Sequence, residues 1–293
     1  MSLDTRLQGE RILIRPSMQK FDGSPSWDVE LCGANFKKLP CFLNRQFIKI
    51  LEDLGVPTGV FLSLQRKRVE ELRMMSRSSV NASQLLDFNR VGSAAHLPTL
   101  ISILGHIGVR ITDDEFLWGV VQVTMLSLLR QIKYRSRILL DNGVTLLGIM
   151  DETGYLKEGE IFCVFDGKKS LPKGLVAVTR APALHPGDIQ LVTAVDIPHD
   201  SPLRALSNCV VFSQHGPRDV PSMLSGGDLD GDLYNVIWDR DLLPKKTYEP
   251  ADYPRVPPLD IGRAVTTEDM SDFLVRTNQE CALQEPLYYC CLY

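Results

Sequence analysis

The chain has 293 residues, 44% of them hydrophobic and 23% charged, and a formal net charge of −4. That composition is ordinary for a globular protein and leaves room for a sizeable core in one large domain or two ordinary ones. The acidic balance excludes a uniformly basic coat for nucleic acid, while a basic channel inside an acidic exterior stays compatible with it.

The opening ten residues are polar and lack the apolar run of a signal peptide. Residues 11–15 and 27–31 read as short strands around the turn Phe21-Asp22-Gly23-Ser24-Pro25. Helical spacing follows in Leu43, Phe47, Ile48, Leu51 and Leu54, with Gly55 and Pro57 as a stop. A second helix is predicted from about Val60 to Met75. Its Arg66, Lys67, Arg68 and Arg73 make a positive face, either solvated surface or a nucleic-acid contact. Thr112-Asp113-Asp114-Glu115 has the pattern of a capping box in which Thr112 and Glu115 satisfy each other's free amides. It would open a long helix through Phe116, Val120, Met125, Leu129 and Ile132, apolar nearly all round and therefore expected to be buried. The longest apolar stretch, 116–129, is broken by Gln122, Thr124 and Ser127 and is too short for a membrane span.

From residue 137 to about 243 the pattern changes to strands and turns. Short apolar runs at 138–140, 145–149, 160–165, 174–179, 188–192, 209–212 and 234–238, with turn residues between them, predict a barrel or sandwich. Five prolines between 244 and 260 predict an extended connector, and Thr266-Thr267-Glu268-Asp269 begins a last short helix. The seven cysteines are scattered without a C-x-x-C pair, which suits reduced thiols in a soluble intracellular protein better than disulfides or a zinc site.

The richest stretch is Ser225-Gly226-Gly227-Asp228-Leu229-Asp230-Gly231-Asp232-Leu233-Tyr234. Three aspartates at alternate positions repel one another unless a cation sits among them. A hard divalent ion with oxygen ligands removes that repulsion and leaves positions for water and phosphate oxygens. Two plainer accounts compete. Asp-Gly is a common hairpin turn, and a calcium loop of the EF-hand kind also uses spaced aspartates. The latter wants Gly at its sixth position and helices on both sides, whereas that position, counted from Asp228, is Leu233 and the flanks look extended.

Taken together, several segments resemble the cell-encoded RNA-dependent RNA polymerases of RNA silencing. They are Ile14-Arg15-Pro16-Ser17-Met18-Gln19-Lys20-Phe21, Leu43-Asn44-Arg45-Gln46, Leu147-Gly148-Ile149-Met150-Asp151-Glu152, the run from Val178-Thr179-Arg180-Ala181-Pro182 to His185-Pro186-Gly187-Asp188, and 225–234 with Trp238-Asp239. The likeness covers roughly residues 9 to 279, and the tail beyond Cys281 departs from it.

The resemblance implies an α+β chain with a double-psi β-barrel carrying the Asp triad, preceded by a helical linker and the end of an incomplete first barrel. The expected divisions are 1–42 for that first barrel, 43–136 for the linker, 137–243 for the second barrel, and 244–293 for the connector, short helix and atypical tail. A fragment or truncated reading frame, not competent by itself, is expected. The implied reaction is template-directed addition of ribonucleotides to RNA. Asp228, Asp230 and Asp232 would hold one Mg²⁺, with Mn²⁺ as a substitute, and a second ion would arrive with the NTP. Gly226, Gly227 and Gly231 would let the loop bend and the RNA end approach. Arg180 would contact the NTP ribose or phosphate, or form a structural salt bridge. Arg218 and Lys173 would face phosphates, Lys20 a channel, and His185 would be catalytic or bonded to a backbone carbonyl. The implied partners are single-stranded RNA template and nucleoside triphosphates, with a Dicer-type nuclease and Argonaute proteins downstream, in nucleus or cytoplasm and away from any membrane. The competing functions are a catalytically incompetent RNA-binding fragment and a Mg²⁺-dependent phosphohydrolase or nuclease.

Overall fold

The computed structural model describes residues 4–14, 34, 36–75, 78–166, 169–171, 173–253 and 260–283. Of the two strands expected near the start, residues 11–14 are described and are not strand; Arg15 and 27–31 lie outside the described residues, as does Lys20.

Strand β1 (Leu39–Leu43) is followed by helices α1 (Arg45–Asp53), α2 (Thr58–Met75), α3 (Ser79–Phe88), α4 (Leu97–His106) and α5 (Glu115–Arg135). Strands β2 (Ile138–Met150), β3 (Glu160–Phe165), β4 (Lys169–Ser170), β5 (Gly174–Arg180), β6 (Ile189–Ala194) and β7 (Cys209–Phe212) come next. The short helix α6 (Val220–Met223), strand β8 (Leu233–Ile237) and helix α7 (Thr267–Leu283) complete the order.

All eight strands share one sheet, ordered β1-β2-β7-β3-β6-β5-β8, with β4 on β3. Because β8 also pairs with β2, six strands close into a barrel. The β2/β7 and β3/β6 pairs are parallel and the others around the barrel antiparallel. This closed barrel in a mixed α+β chain is the double-psi arrangement that the resemblance implies. Strand β2 runs unbroken where two short strands were expected around Asp141-Asn142-Gly143. It pairs with β1 on both sides of that polar stretch and with β8 from Gly143 to Leu147, and Trp238 N donates to the Asn142 carbonyl.

The strands read as continuous apolar runs because both faces are covered. Successive side chains point to opposite faces, so Ile161, Cys163, Val176, Val178, Val210, Phe212, Tyr234 and Val236 fill the barrel. Their neighbours face outward. Phe162, Val164, Cys209 and Val211 pack on Leu156, Ile197 and Leu203, while Ala177 and Ile237 pack under Phe47, Leu51 and Phe61 from α1 and α2. Burial pushes the free thiols of Cys41 and Cys209 up to about 12, which keeps them protonated and inert.

Four expectations need correcting. Leu43 belongs to β1, and α1 starts only after Asn44, whose side chain accepts from the Phe47 amide. Residues 39–42, assigned to a first barrel, hydrogen-bond to β2 in the same sheet as the second. The cap of α5 is Asp114, accepting from Leu117 N at 2.8 Å, because 111–113 form a 3₁₀ turn ahead of it. Helix α5 is buried along one stripe only, through Leu117, Val121, Thr124 and Ile132, and leaves Phe116 and Val123 exposed. The positive face of α2 is largely ion-paired: Lys67 and Arg68 reach Asp141 on β2, and Arg73 reaches Glu70. Among the described residues no helix is long and apolar enough to cross a membrane.

Candidate active site

The loop carrying the three aspartates leaves α6, capped by Asp219, and enters β8. It is not a hairpin turn, since β7 pairs with β2 and β3 while β8 pairs with β2 and β5. Nor do two long helices flank it, which removes the EF-hand alternative. Leu229 has φ +63° and Gly231 φ +131°. The second value lies where a side chain is strained, so glycine is what the chain needs between Asp230 and Asp232. Gly227 serves a different end. A Cβ there would stand 2.4 Å from Tyr234 Oη and 2.9 Å from the Pro221 carbonyl. Gly226, also at positive φ, lies against the Tyr253 side chain.

This folding brings one carboxylate oxygen of each of Asp228, Asp230 and Asp232 within 4.8 Å of the others. The three are not equivalent. Asp232 is half-buried and pinned, its Oδ1 paired with the Arg180 guanidinium at 2.7 Å. Its Oδ2 accepts from the Asp228 amide at 3.1 Å and from Tyr234 Oη at 3.4 Å. Its carbonyl accepts from Gly148 N on β2 at 3.0 Å. Asp228 and Asp230 are exposed. Asp230 is held above the usual carboxylate range, first by a hydrogen bond with Asp228, then by partial burial and the charges of Asp228 and Asp232, with Arg180 opposing. Carboxylates this close disfavour one another's charge, and a hard-oxygen donor set of this kind suits a divalent metal.

The other predicted residues fare differently. Arg180, at the end of β5, sits against the triad. Besides Asp232 it donates to the Ser225 carbonyl at 3.1 Å, so it ties the two ends of the loop together. Arg218 directs Nε and one terminal nitrogen to Ser222 and the Ala251 carbonyl. Lys173 is exposed just before the seven-residue strand β5 that ends in Arg180; at ~3.3 Å per residue the two lie roughly 20 Å apart. The structure does not bring Lys173 to the triad. His185 is half-buried, and its Nδ1 accepts from the Gly187 amide at 3.0 Å, forming a capping box with Asp188 rather than bonding a carbonyl.

Two residues at the site received no role from the sequence. Tyr234 is fully buried, edge-on to Phe212, and wedged between Gly148 and Gly227. Asp188 is fully buried, with Oδ2 accepting from the Leu184 and His185 amides and Oδ1 from Ser225 N and Tyr253 Oη. Asp188 lies within a segment already singled out, so a buried role was findable there. The position of Tyr234, two residues after the last aspartate, was the only local signal for it.

The family profile described as RNA dependent RNA polymerase matches residues 1–283. Over 268 residues the chain is 35% identical to the "Probable RNA-dependent RNA polymerase 1" of Oryza sativa subsp. japonica, covering 90% of this chain and 35% of that protein. With "RNA-dependent RNA polymerase 1" of Schizosaccharomyces pombe it shares 34% over 262 residues, 81% of this chain and 21% of that one. Among solved structures, "RNA dependent RNA polymerase QDE-1 from Thielavia terrestris" matches with a TM-score of 0.56 at 24% identity, covering 76% of this chain and 27% of that chain. That last likeness concerns the fold. The chain thus spans 21–35% of the length of these relatives. By the profile match over nearly its whole length and its identity to plant and fission-yeast members, this chain belongs to the RNA-dependent RNA polymerase family.

Proposed function

We propose that this chain carries the metal-holding barrel of a polymerase that adds ribonucleotides to RNA on a single-stranded RNA template. The observation that supports it best is the cluster of three carboxylates, mutually within 4.8 Å, on a loop rising from a closed barrel with Arg180 beside it. Asp228, Asp230 and Asp232 would hold a divalent ion, Mg²⁺ with Mn²⁺ as substitute. Bound there, the ion would supply Lewis-acid polarisation and activation of the 3′-hydroxyl of the growing RNA. Asp232, fixed by Arg180, Tyr234 and the Asp228 amide, would set the direction of the site, and the two exposed aspartates would close on the ion from solvent. The planar fork of Arg180, already turned to the loop, would align an NTP ribose or phosphate. Phosphoryl transfer is mostly a matter of such positioning. Arg218 would act by holding the chain around the loop. Products would pass to a Dicer-type nuclease and Argonaute proteins, in nucleus or cytoplasm.

The test is incorporation of labelled NTP on single-stranded RNA in Mg²⁺ by any active polymerase preparation that contains this segment, compared with the same preparation carrying Asp230→Ala. Removing one ligand forfeits several kcal/mol of transition-state stabilisation, on the order of a thousandfold in rate. Folding should be retained, because the substitution relieves repulsion among the carboxylates. Synthesis undiminished in Asp230→Ala would overturn the assignment; RNA loss without synthesis would point to hydrolysis instead.

A further inference from the structure

The chain after β8 runs back across the base of the Asp loop. The amides of Lys245 and Lys246 donate to the Leu54 carbonyl at the end of α1. Residues 249–253 then pass over two fixed points. At Gly187 a Cβ would stand 2.2 Å from the Glu249 carbonyl oxygen, so only glycine admits the crossing chain. At Ala251 the carbonyl accepts from Arg218 at 2.8 Å. At Tyr253 the hydroxyl donates to Asp188 Oδ1 at 2.6 Å and the Cβ lies 3.2 Å from where a Gly226 Cβ would be. The same Oδ1 accepts from the amide of Ser225, the first residue of the loop, at 3.3 Å.

A carboxylate accepts at about four lone-pair positions, and Asp188 uses its two oxygens to join three segments: the turn at 184–185, the loop at Ser225 and the strap at Tyr253. A carboxyl group with no exposure is tolerated only when it is hydrogen-bonded in this way. The phenol of Tyr253 is pushed up, by burial first and then by the bond to Asp188, so it stays a neutral donor at physiological pH. The far end of the loop is fixed independently, through Gly148 and Tyr234. Without the strap, the Ser225 amide would still reach Asp188 and its carbonyl Arg180, but Asp188 Oδ1 would lose its hydroxyl donor and Gly226 the side chain that lies against it.

We propose that Tyr253, acting through Asp188, is a positioning residue that clamps the leading end of the loop so that Asp228, Asp230 and Asp232 converge on one cation. The proposal rests on the triad being a divalent-metal site. Tyr253 is 38% exposed, so removing its hydroxyl leaves the barrel core untouched. The experiment is Mn²⁺ binding to the full chain, followed by the loss of the free-ion EPR signal, for wild type, Tyr253→Phe, Tyr253→Ala and Asp230→Ala, with thermal melting of each. Groups that orient metal ligands typically change affinity by about 10–100-fold. Tyr253→Phe should weaken Mn²⁺ binding about tenfold with an almost unchanged melting temperature. Tyr253→Ala, which also uncovers Gly226, should weaken it further. If Asp230→Ala loses binding while both Tyr253 variants bind like wild type, the clamp is refuted and the metal site stands. If Asp230→Ala binds Mn²⁺ like wild type, the metal site itself is refuted, and the clamp with it.

Discussion

The barrel and the loop it carries are held by opposite means. Around the barrel, alternate residues of the same strand enter two apolar cores, so Val210 and Phe212 face inward and Cys209 and Val211 outward. Gly174, at the very start of β5, is the one strand residue with a positive φ. The loop sets a single apolar side chain, Leu229, against the barrel core. It keeps its shape through positive φ at Ser225, Gly226, Leu229 and Gly231 and through bonds to fixed donors and acceptors at each end. Stability therefore resides in the barrel, and the three carboxylates sit on a loop that borrows its rigidity. The two meet at Tyr234, whose ring belongs to the barrel core and whose hydroxyl touches Asp232.

Substitutions on either side of Tyr234 measure how far that separation holds. Phe212→Ala should have the largest effect on stability. The ring is fully buried and lies 4.8 Å from that of Tyr234, edge to face. Emptying such a site costs about 3–5 kcal/mol, a large part of the 5–15 kcal/mol that usually holds a domain together. Equilibrium urea unfolding should show the loss; a change below about 1 kcal/mol would mean that this core collapses freely. Gly227→Ala comes next. Its new Cβ would meet Tyr234 Oη and the Pro221 carbonyl, and Tyr234 cannot retreat because Gly148 already stands against its ring. Overpacking of this kind costs about 1–3 kcal/mol. Here it should also weaken Mn²⁺ binding, since the displaced hydroxyl holds Asp232. A destabilised variant with unchanged Mn²⁺ affinity would show that loop and barrel are less coupled than the contacts indicate.

What could be read from the sequence divides along the same line. The barrel strands were visible because burial on both faces makes each of them an apolar run, and the triad was visible because its spacing is local. Strand β1 escaped because Leu39-Pro40-Cys41-Phe42-Leu43 carries a proline, has a register shift between Pro40 and Phe42, and runs directly into the apolar positions of α1. Helices α3 and α4 were not separated from their surroundings: each is only ten residues long, and α4, although Leu97, Ile101 and Leu104 have helical spacing, carries a proline at its start. On α2, Arg66, Lys67 and Arg73 are the exposed surface that was one of the two readings, and Arg68 alone departs from it, for a non-local reason. Arg68 is buried because Asp141, far along the chain on β2, comes back to meet it. The link from Asp188 to Tyr253 is equally non-local, spanning 65 positions. A local pattern predicts a strand or a ligand cluster, but not which distant group will hold it in place.

The smallest expected effect concerns the seam between the helices and the barrel. Asp141 on β2 accepts from Lys67 at 2.6 Å and from Arg68, whose guanidinium also donates to Glu71 and to the Leu139 carbonyl at 2.9 Å. Burial raises the Asp141 carboxyl, but the bonds from Lys67 and Arg68 outweigh it and hold the group below its ordinary value. A carboxyl depressed in the folded state contributes stability that is complete above the unfolded value, near pH ~3.9, and is lost as pH falls through the folded value. The side chain is 50% exposed, so solvent screening limits the pair with Lys67 to about 0–1 kcal/mol. Arg68, with its side chain only 11% exposed, makes the total lean toward the upper end of that range. Asp141→Asn should therefore lower stability by about 1 kcal/mol at neutral pH. The gap from wild type should close as the solution is acidified below the ordinary aspartate value. Parallel urea titrations at neutral and acidic pH check this. A gap that persists in acid would mean that Asp141 joins helix to barrel by shape and hydrogen bonding, with its charge contributing nothing.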